Sequence, residues 1–293
     1  MSYTPVQLLE NWILRQASDP AQAWLDEKRA KVAEGDTRAL FLAFGMAPRK
    51  FGKDLLEISD KDQEHATDAR EGWVPRGWSI DQAARTLLLA SLPVQDVAEY
   101  IATLDTLFQT GEVRELVALY QALSLLPHND LMADRLAEGI RTNMKTVFCA
   151  VAHHNPLPRE ILEEGPWNQM ILKALFIGAT LERIQGVDQR ANPNLSRMLI
   201  DYAHERRAAS RPIPVELWRM VAPFPDEIAL GDMAALYSQG SALERRAIGL
   251  ALADSATDEA DAILNSNPEI VSDIQQGNIN WQRISLDSES QLA

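Results

Sequence analysis

Apolar side chains recur at helical spacing throughout this sequence, and no run of five residues alternates β-branched side chains at the period of a strand. Ile80, Ala83, Ala84, Leu87 and Leu88 form one such set, opened by Ser79 with Asp81 and Gln82 in the first turn. Other starts carry capping chemistry: Thr4-Pro5 and Asp19-Pro20. A cap oxygen accepts from an otherwise unpaired first-turn amide, and proline is tolerated there because its missing N–H has no helical partner. Pro93, Pro127 and Pro166 mark further starts, with Gly111, Gly165 and Gly178 between them. A chain patterned only this way buries its apolar stripes helix on helix, so the fold class is all-α. LLLASLPVQDVAEYIATL and YQALSLLPHNDLMADRLAEGI repeat a helix, Leu-Pro, helix order, with Pro93 and Pro127 34 residues apart. That repeat points to stacked antiparallel helical hairpins, solenoid-like, with an irregular helical bundle as the other arrangement.

The 293 residues read as a single domain over 1–293. An irregular loop is expected at about 45–78, where PRKFGK, the charged run SDKDQEHATDAREG and GWVPRGW follow one another. A frayed tail is expected at about 286–293. The single cysteine, Cys149, excludes an internal disulfide and any CxxC motif. A net charge of −14 argues against nucleic acid or an anionic membrane as a general partner. No apolar run nears the ~20 residues that span a bilayer, and no leader pattern opens the chain, so a cytoplasmic location is expected. HExxH, GxSxG, Cys/His clusters and phosphate-binding glycine loops are all missing, and neither a metal nor a cofactor is expected.

Chemistry-bearing residues concentrate between Glu138 and Arg207, where nine basic side chains face eight acidic ones, +1 in a chain of −14. After Asn192-Pro193, helical spacing puts Arg197, Asp201, His204 and Glu205 on one stripe. It is either an exposed salt-bridge ladder or a polar pocket wall, with Arg206 just beyond. Were the protein an enzyme, His204 with Asp201 or Glu205 would be its acid–base group. Lys173 is the lone charge in MILKALFIG, either snorkelling or buried with a carboxylate partner. Asn168 and Gln169 stand in the first turn of that helix, where free amides suit an anion. EGIRTNM places Glu138, Arg141 and Asn143 together around Gly139, a residue that suggests close approach of a backbone or ligand. Arg49, Lys50 and Lys53 of PRKFGK form a secondary anion-binding candidate.

PRKFGK, GW followed by IDQAAR, EGIRTNM with VF three residues on, the NP pair at Asn155, WNQMILKALFIG, IQGVDQRANPNLSRMLIDYAHER and ELWRMVAPF together resemble the EboA family, over about Pro5 to Trp281. The resemblance implies a bacterial protein encoded beside a UbiA-type prenyltransferase, a TatD-like hydrolase and sugar-isomerase-like proteins. It also implies a role in the traffic of a small metabolite, with no assigned reaction. Cys149, His153 and His154 depart from the family pattern, which makes them poor candidates for an essential role. The expected function is a helical accessory protein that binds or hands on a small polar or anionic metabolite. The alternatives are an enzyme acting on a polar or phosphorylated small molecule and a scaffold for the cluster's enzymes.

Overall fold

The computed structural model describes residues 3–292, which form eighteen α-helices and no strand; one isolated antiparallel bridge joins Leu55 to Ser79. The chain divides into two compact units, Met1–Leu162 and Glu163–Ala293, where one domain over 1–293 is expected from the sequence. Each unit has its own central helix, and so its own core. No helix among the described residues is long and apolar enough to cross a membrane.

The first unit comprises α1 (Pro5–Gln16), α2 (Asp19–Ala33), α3 (Thr37–Phe51), α4 (Asp60–Ala69), α5 (Ile80–Leu89), α6 (Val97–Thr110), α7 (Val113–Ala122), α8 (Ala133–Arg141), α9 (Lys145–Ala152) and α10 (Leu157–Ile161). All ten residues of α5 are buried, and α1, α2, α3 and α7 pack around it. A solenoid repeat touches only its sequence neighbours, so this unit is an irregular bundle organised about one helix. Pro93 and Pro127 lie in connecting turns rather than at helix starts; α6 begins at Val97, capped by Asp96. Thr4 and Ser79 cap as expected and Asn192 caps the helix Pro193–Ala208, whereas α2 starts one residue early with Ser18 as its cap.

The irregular loop expected at about 45–78 contains two helices. α3 runs on through Phe51 despite Pro48. A proline leaves the carbonyl four residues back without its helical donor; here Arg85 Nε of α5 donates to that Phe44 oxygen at 2.9 Å. The acidic run forms α4, although only Asp62 and Ala66 of it are buried. Asp62 holds the helix down as an acceptor: Trp12 Nε1 donates to it at 2.8 Å, Arg15 Nη2 at 2.9 Å, Ser59 Oγ at 2.7 Å and the Ser59 amide at 3.1 Å. Trp12, Trp73 and Trp78 stack beside this anchor, with ring centroids 5.6 and 6.0 Å apart, and pin the GWVPRGW segment. At Gly139 the close approach comes from side chains, since a Cβ would meet Val151 Cγ2 at 2.6 Å and Tyr120 Cζ at 2.7 Å.

The second unit comprises α11 (Glu164–Ile177), α12 (Pro193–Ala208), α13 (Leu217–Val221), α14 (Glu227–Gln239), α15 (Ala242–Asp254), α16 (Asp258–Leu264), α17 (Pro268–Gln275) and α18 (Trp281–Leu292). Here α15 is central, with α13, α14, α16, α17 and α18 packed on it. The tail expected to fray at about 286–293 is helical to Leu292, and Arg246 Nη1 donates to Asp287 there at 3.0 Å; Ala293 lies outside the described residues.

Burial alone would raise the pKa of Asp62. The hydrogen bonds from Ser59, Arg15 and Trp12 outweigh it and bring the carboxyl from 3.8 down to about 2. A depressed carboxyl stabilises the fold above its unfolded pKa, and that contribution is lost as pH falls from about 4 towards 2. It amounts to about 2 kcal/mol. Urea unfolding of wild type and Asp62→Asn between about pH 5 and about pH 2 is expected to show a stability difference at the upper end that shrinks at the lower. A constant difference would show that Asp62 acts by packing alone.

Candidate functional site

Burying α5 on every side takes Asp81 and Arg85 into the core, one turn apart, at 0% and 2% exposure. An unpaired charge there would be untenable. Arg85 Nη1 donates to Asp81 Oδ2 at 2.7 Å, and the other carboxylate oxygen accepts from Ser79 Oγ at 2.6 Å and from Arg114 Nη2 at 3.2 Å. Arg85 lies over the Phe44 ring, with its Nη2 3.8 Å from Glu115. Burial pulls Arg85 below the ordinary arginine pKa, against the attraction of Asp81 and Glu115. The Gln82 amide donates to Gln121 on α7. These groups satisfy one another, so the cluster is a joint between α3, α5 and α7.

Two similar joints hold the second unit. Buried Glu216 accepts from the Leu181 amide at 3.1 Å, Thr180 Oγ1 at 3.0 Å and Ser285 Oγ at 2.7 Å. Arg219 forks onto both oxygens of Asp188 at 2.7 Å, reaches Glu182 at 2.7 Å, and lies under the Trp281 ring. Burial lowers the Arg219 pKa, but the pairing with Asp188 and Glu182 outweighs it and leaves the pKa raised.

The residues singled out in the sequence divide between the units. In the first, Glu138, Arg141 and Asn143 are all exposed, and Glu138 pairs with Arg135 within α8. Arg49, Lys50 and Lys53 are exposed too; Arg49 and Lys50 close the last turn of α3, where cations complement the helix dipole. In the second unit Asn168 is buried in a reciprocal amide pair with Asn192, at 3.2 and 2.9 Å. Gln169 is exposed. Lys173 is half-buried, and desolvation lowers its pKa. Arg197 donates to Asn194 at 2.8 Å and Arg206 to the Pro212 carbonyl at 2.9 Å. Asp201 and Glu205 are exposed, and His204 pairs across helices with Asp232 at 3.0 Å, the carboxylate that also takes Arg207. The guanidinium and amide donors of Asn168, Arg197 and Arg206 thus have protein acceptors.

The opening best suited to a small molecule lies in the first unit, where α1 and α2 both pack on α5 but make little contact with each other. Between them is a groove of about 320 Å³, at the lower end of the range for small-molecule sites. Ile13, Leu25 and Leu87 make an apolar floor; Glu10, Asn11, Asp26 and Arg29 make a polar rim, with exposed Leu14 on the lip. Arg29 is held in place, its Nη2 on Glu10 at 2.6 Å and its Nε on Ser91 Oγ at 3.1 Å. Gln22 braces the end of α1 through the Leu14 and Ala17 carbonyls at 3.1 and 2.7 Å. A second opening, about 170 Å³, lies at the start of α6 between Gly35, Asp96 and Tyr100, and is too small for most metabolites. Among the described residues no three His, Cys, Asp or Glu side chains gather as a metal-binding group.

A family model described as metabolite traffic protein EboA matches residues 5–222. The chain belongs to the EboA family. No curated protein and no solved structure matches it. The match takes in α1 to α13, and therefore the whole groove, and ends before α14. Several polar residues of the EboA-like motifs act as joints: Asp81 and Arg85 in IDQAAR, Asn155 holding the Tyr120 carbonyl at 3.3 Å, Asn192 capping α12, Glu216 and Arg219 in ELWRMV. The groove residues went unnoticed in the sequence because they look like any solvated helix face. The one available signal was the short link between α1 and α2, which makes them neighbours.

If the α5 cluster is a joint, its two partners of Asp81 will differ in weight. Asp81→Ala strands Arg85 in the core and is expected to cost about 3–5 kcal/mol, read by chemical denaturation. Arg114→Ala removes a half-exposed partner and is expected to cost about 1 kcal/mol or less. Equal losses would show that the buried pair is no stronger than the surface one.

Proposed function

We propose that this EboA protein is a carrier that holds a small metabolite in the α1–α2 groove and hands it on unchanged. The observation behind this reading is the groove itself, an apolar floor under a polar rim, lying inside the stretch that matches a metabolite traffic family. Two rim carboxylates against one guanidinium, itself neutralised by Glu10, select against an anion. The ligand is therefore a compact molecule with an apolar body and a neutral or cationic polar group. A carrier of this kind acts in the cytoplasm and receives its cargo from the enzymes encoded beside it, a UbiA-type prenyltransferase and a TatD-like hydrolase among them.

A second reading, acid–base catalysis at His204, has the His204–Asp232 pair in its favour. On that reading exposed Gln169, Arg197 and Asp201, in the same unit as His204, are polar contacts for a ligand. Native mass spectrometry of the protein purified from its own host separates the two. The carrier reading expects a co-purified small molecule, released with unchanged mass after incubation and bound about ten-fold or more weakly by Asn11→Trp, which crowds the groove from its exposed rim. Chemical conversion that His204→Gln abolishes would favour the enzyme. An empty wild-type protein, or a ligand that Asn11→Trp does not disturb, would remove the groove from consideration.

A further inference from the structure

The outward face of α3 is unlike the rest of this acidic chain. Leu40, Ala43, Phe44 and Ala47 point into the first unit, each at most 1% exposed. The opposite face presents Phe41, Leu42 and Met46 to solvent at 38%, 59% and 37% exposure, with exposed Gly45 between them. At 100° per residue Arg38, Leu42, Gly45 and Arg49 form the crest of that face, flanked by Phe41 and Met46. Thr37–Phe51 carries Arg38, Arg49 and Lys50 and not one Asp or Glu, and Lys53 follows at once. Of the neighbouring carboxylates, Asp36 caps the helix through the Ala39 amide, Glu115, 3.5 Å from where a Gly45 Cβ would stand, lies beside Arg85, and exposed Asp54 follows Lys53 beyond the end of the helix. Lys50 rests over the Trp24 ring, 5.8 Å from its centroid.

We propose that this face docks the protein, peripherally and reversibly, on an anionic lipid surface. Three adjoining hydrophobes on one convex helix, with cations at both ends and no acid among them, make the pattern of a helix that lies in the headgroup layer. Long arginine and lysine side chains reach phosphate while their stems stay among the apolar groups. The positive charge on the face decides between occupants. It complements a negatively charged bilayer, and a neutral apolar partner would leave Arg38 and Arg49 unused.

Flotation with vesicles of phosphatidylcholine, with or without phosphatidylglycerol, tests this on the full chain. Binding is expected only where phosphatidylglycerol is present, weakening with added salt. Leu42→Glu and the pair Arg38→Glu with Arg49→Glu are expected to abolish it. Replacing one cation by Gln should weaken it roughly five-fold. Leu131→Glu, at an equally exposed leucine away from α3, should leave it unchanged. Failure to float with either vesicle overturns the proposal, as does binding that ignores phosphatidylglycerol or survives Leu42→Glu. Light scattering adds one more arm: a doubled mass that Leu42→Glu returns to the monomer would give the face to a second copy of the chain and overturn the lipid reading. Circular dichroism and thermal unfolding confirm that the exposed substitutions leave the fold intact, so a loss of flotation reports on the face.

Discussion

Arg85 is the side chain on which the first unit depends. A helix with all ten residues buried cannot leave a charge unanswered, and Arg85 is answered twice, in two different elements. Its Nη1 neutralises Asp81 within α5, and its Nε takes the Phe44 carbonyl that Pro48 leaves free in α3. The proline therefore costs α3 little, because the donor it lacks is supplied from the neighbouring helix. The same helix fixes the groove: α1 and α2 are positioned by packing on α5, and Leu87 of α5 is part of the groove floor. The core charge pair and the candidate site are separate features on one helix, two turns apart at most.

In the second unit the same solution is reached with different groups. Glu216 and Arg219 stand three residues apart at the start of α13 and turn to opposite partners. Glu216 collects a backbone amide and two hydroxyls, neutral donors that satisfy a carboxylate without a counter-charge. Arg219 takes two carboxylates and an aromatic face. Charged hydrogen bonds of this kind are worth more than neutral ones only where water is excluded, and both residues are under 10% exposed. Asp81, Arg85, Glu216 and Arg219 of the family-matched stretch all stand where helices meet, which explains why a polar, recognisable motif need not be a ligand site.

Helix type and most helix starts were legible because their signals are local: an oxygen at the cap, a proline beside it, a stripe at period 3.6. What failed was whatever depended on a distant partner. The α4 segment reads as loop because its anchor is Asp62, a carboxylate whose donors Trp12 and Arg15 lie about fifty residues away in sequence. The end of α3 reads as loop too, because the donor that meets the carbonyl left free by Pro48 is Arg85, likewise distant in sequence. The two compact units divide at Leu162 and Glu163, where nothing in composition changes. Among the candidate site residues, the stripe through Arg197, Asp201 and His204 was correctly placed on one helix, but its partners were not foreseeable. Asn194 is local, whereas Asp232 comes from another helix and claims His204. Asparagine adds an ambiguity of its own, because Asn168 and Asn192 show the same side chain whether they cap, pair or bind.

An overall charge of −14 opposes a face that meets anionic lipid, and the conflict is resolved by range. Charges are screened beyond about 8 Å at physiological ionic strength, so the acidic surface elsewhere on the molecule scarcely weighs on a group in contact with a headgroup. Along α3 itself the charges are Arg38, Arg49 and Lys50, with Asp36 held at its cap and Glu115 beside Arg85. The acidity elsewhere then has an orienting effect: of the surfaces this chain can present to a negative bilayer, an acid-free one is favoured, and contact through acidic faces is opposed. A basic protein would adhere in many orientations. An acidic protein with one basic, apolar helix face has a preferred one.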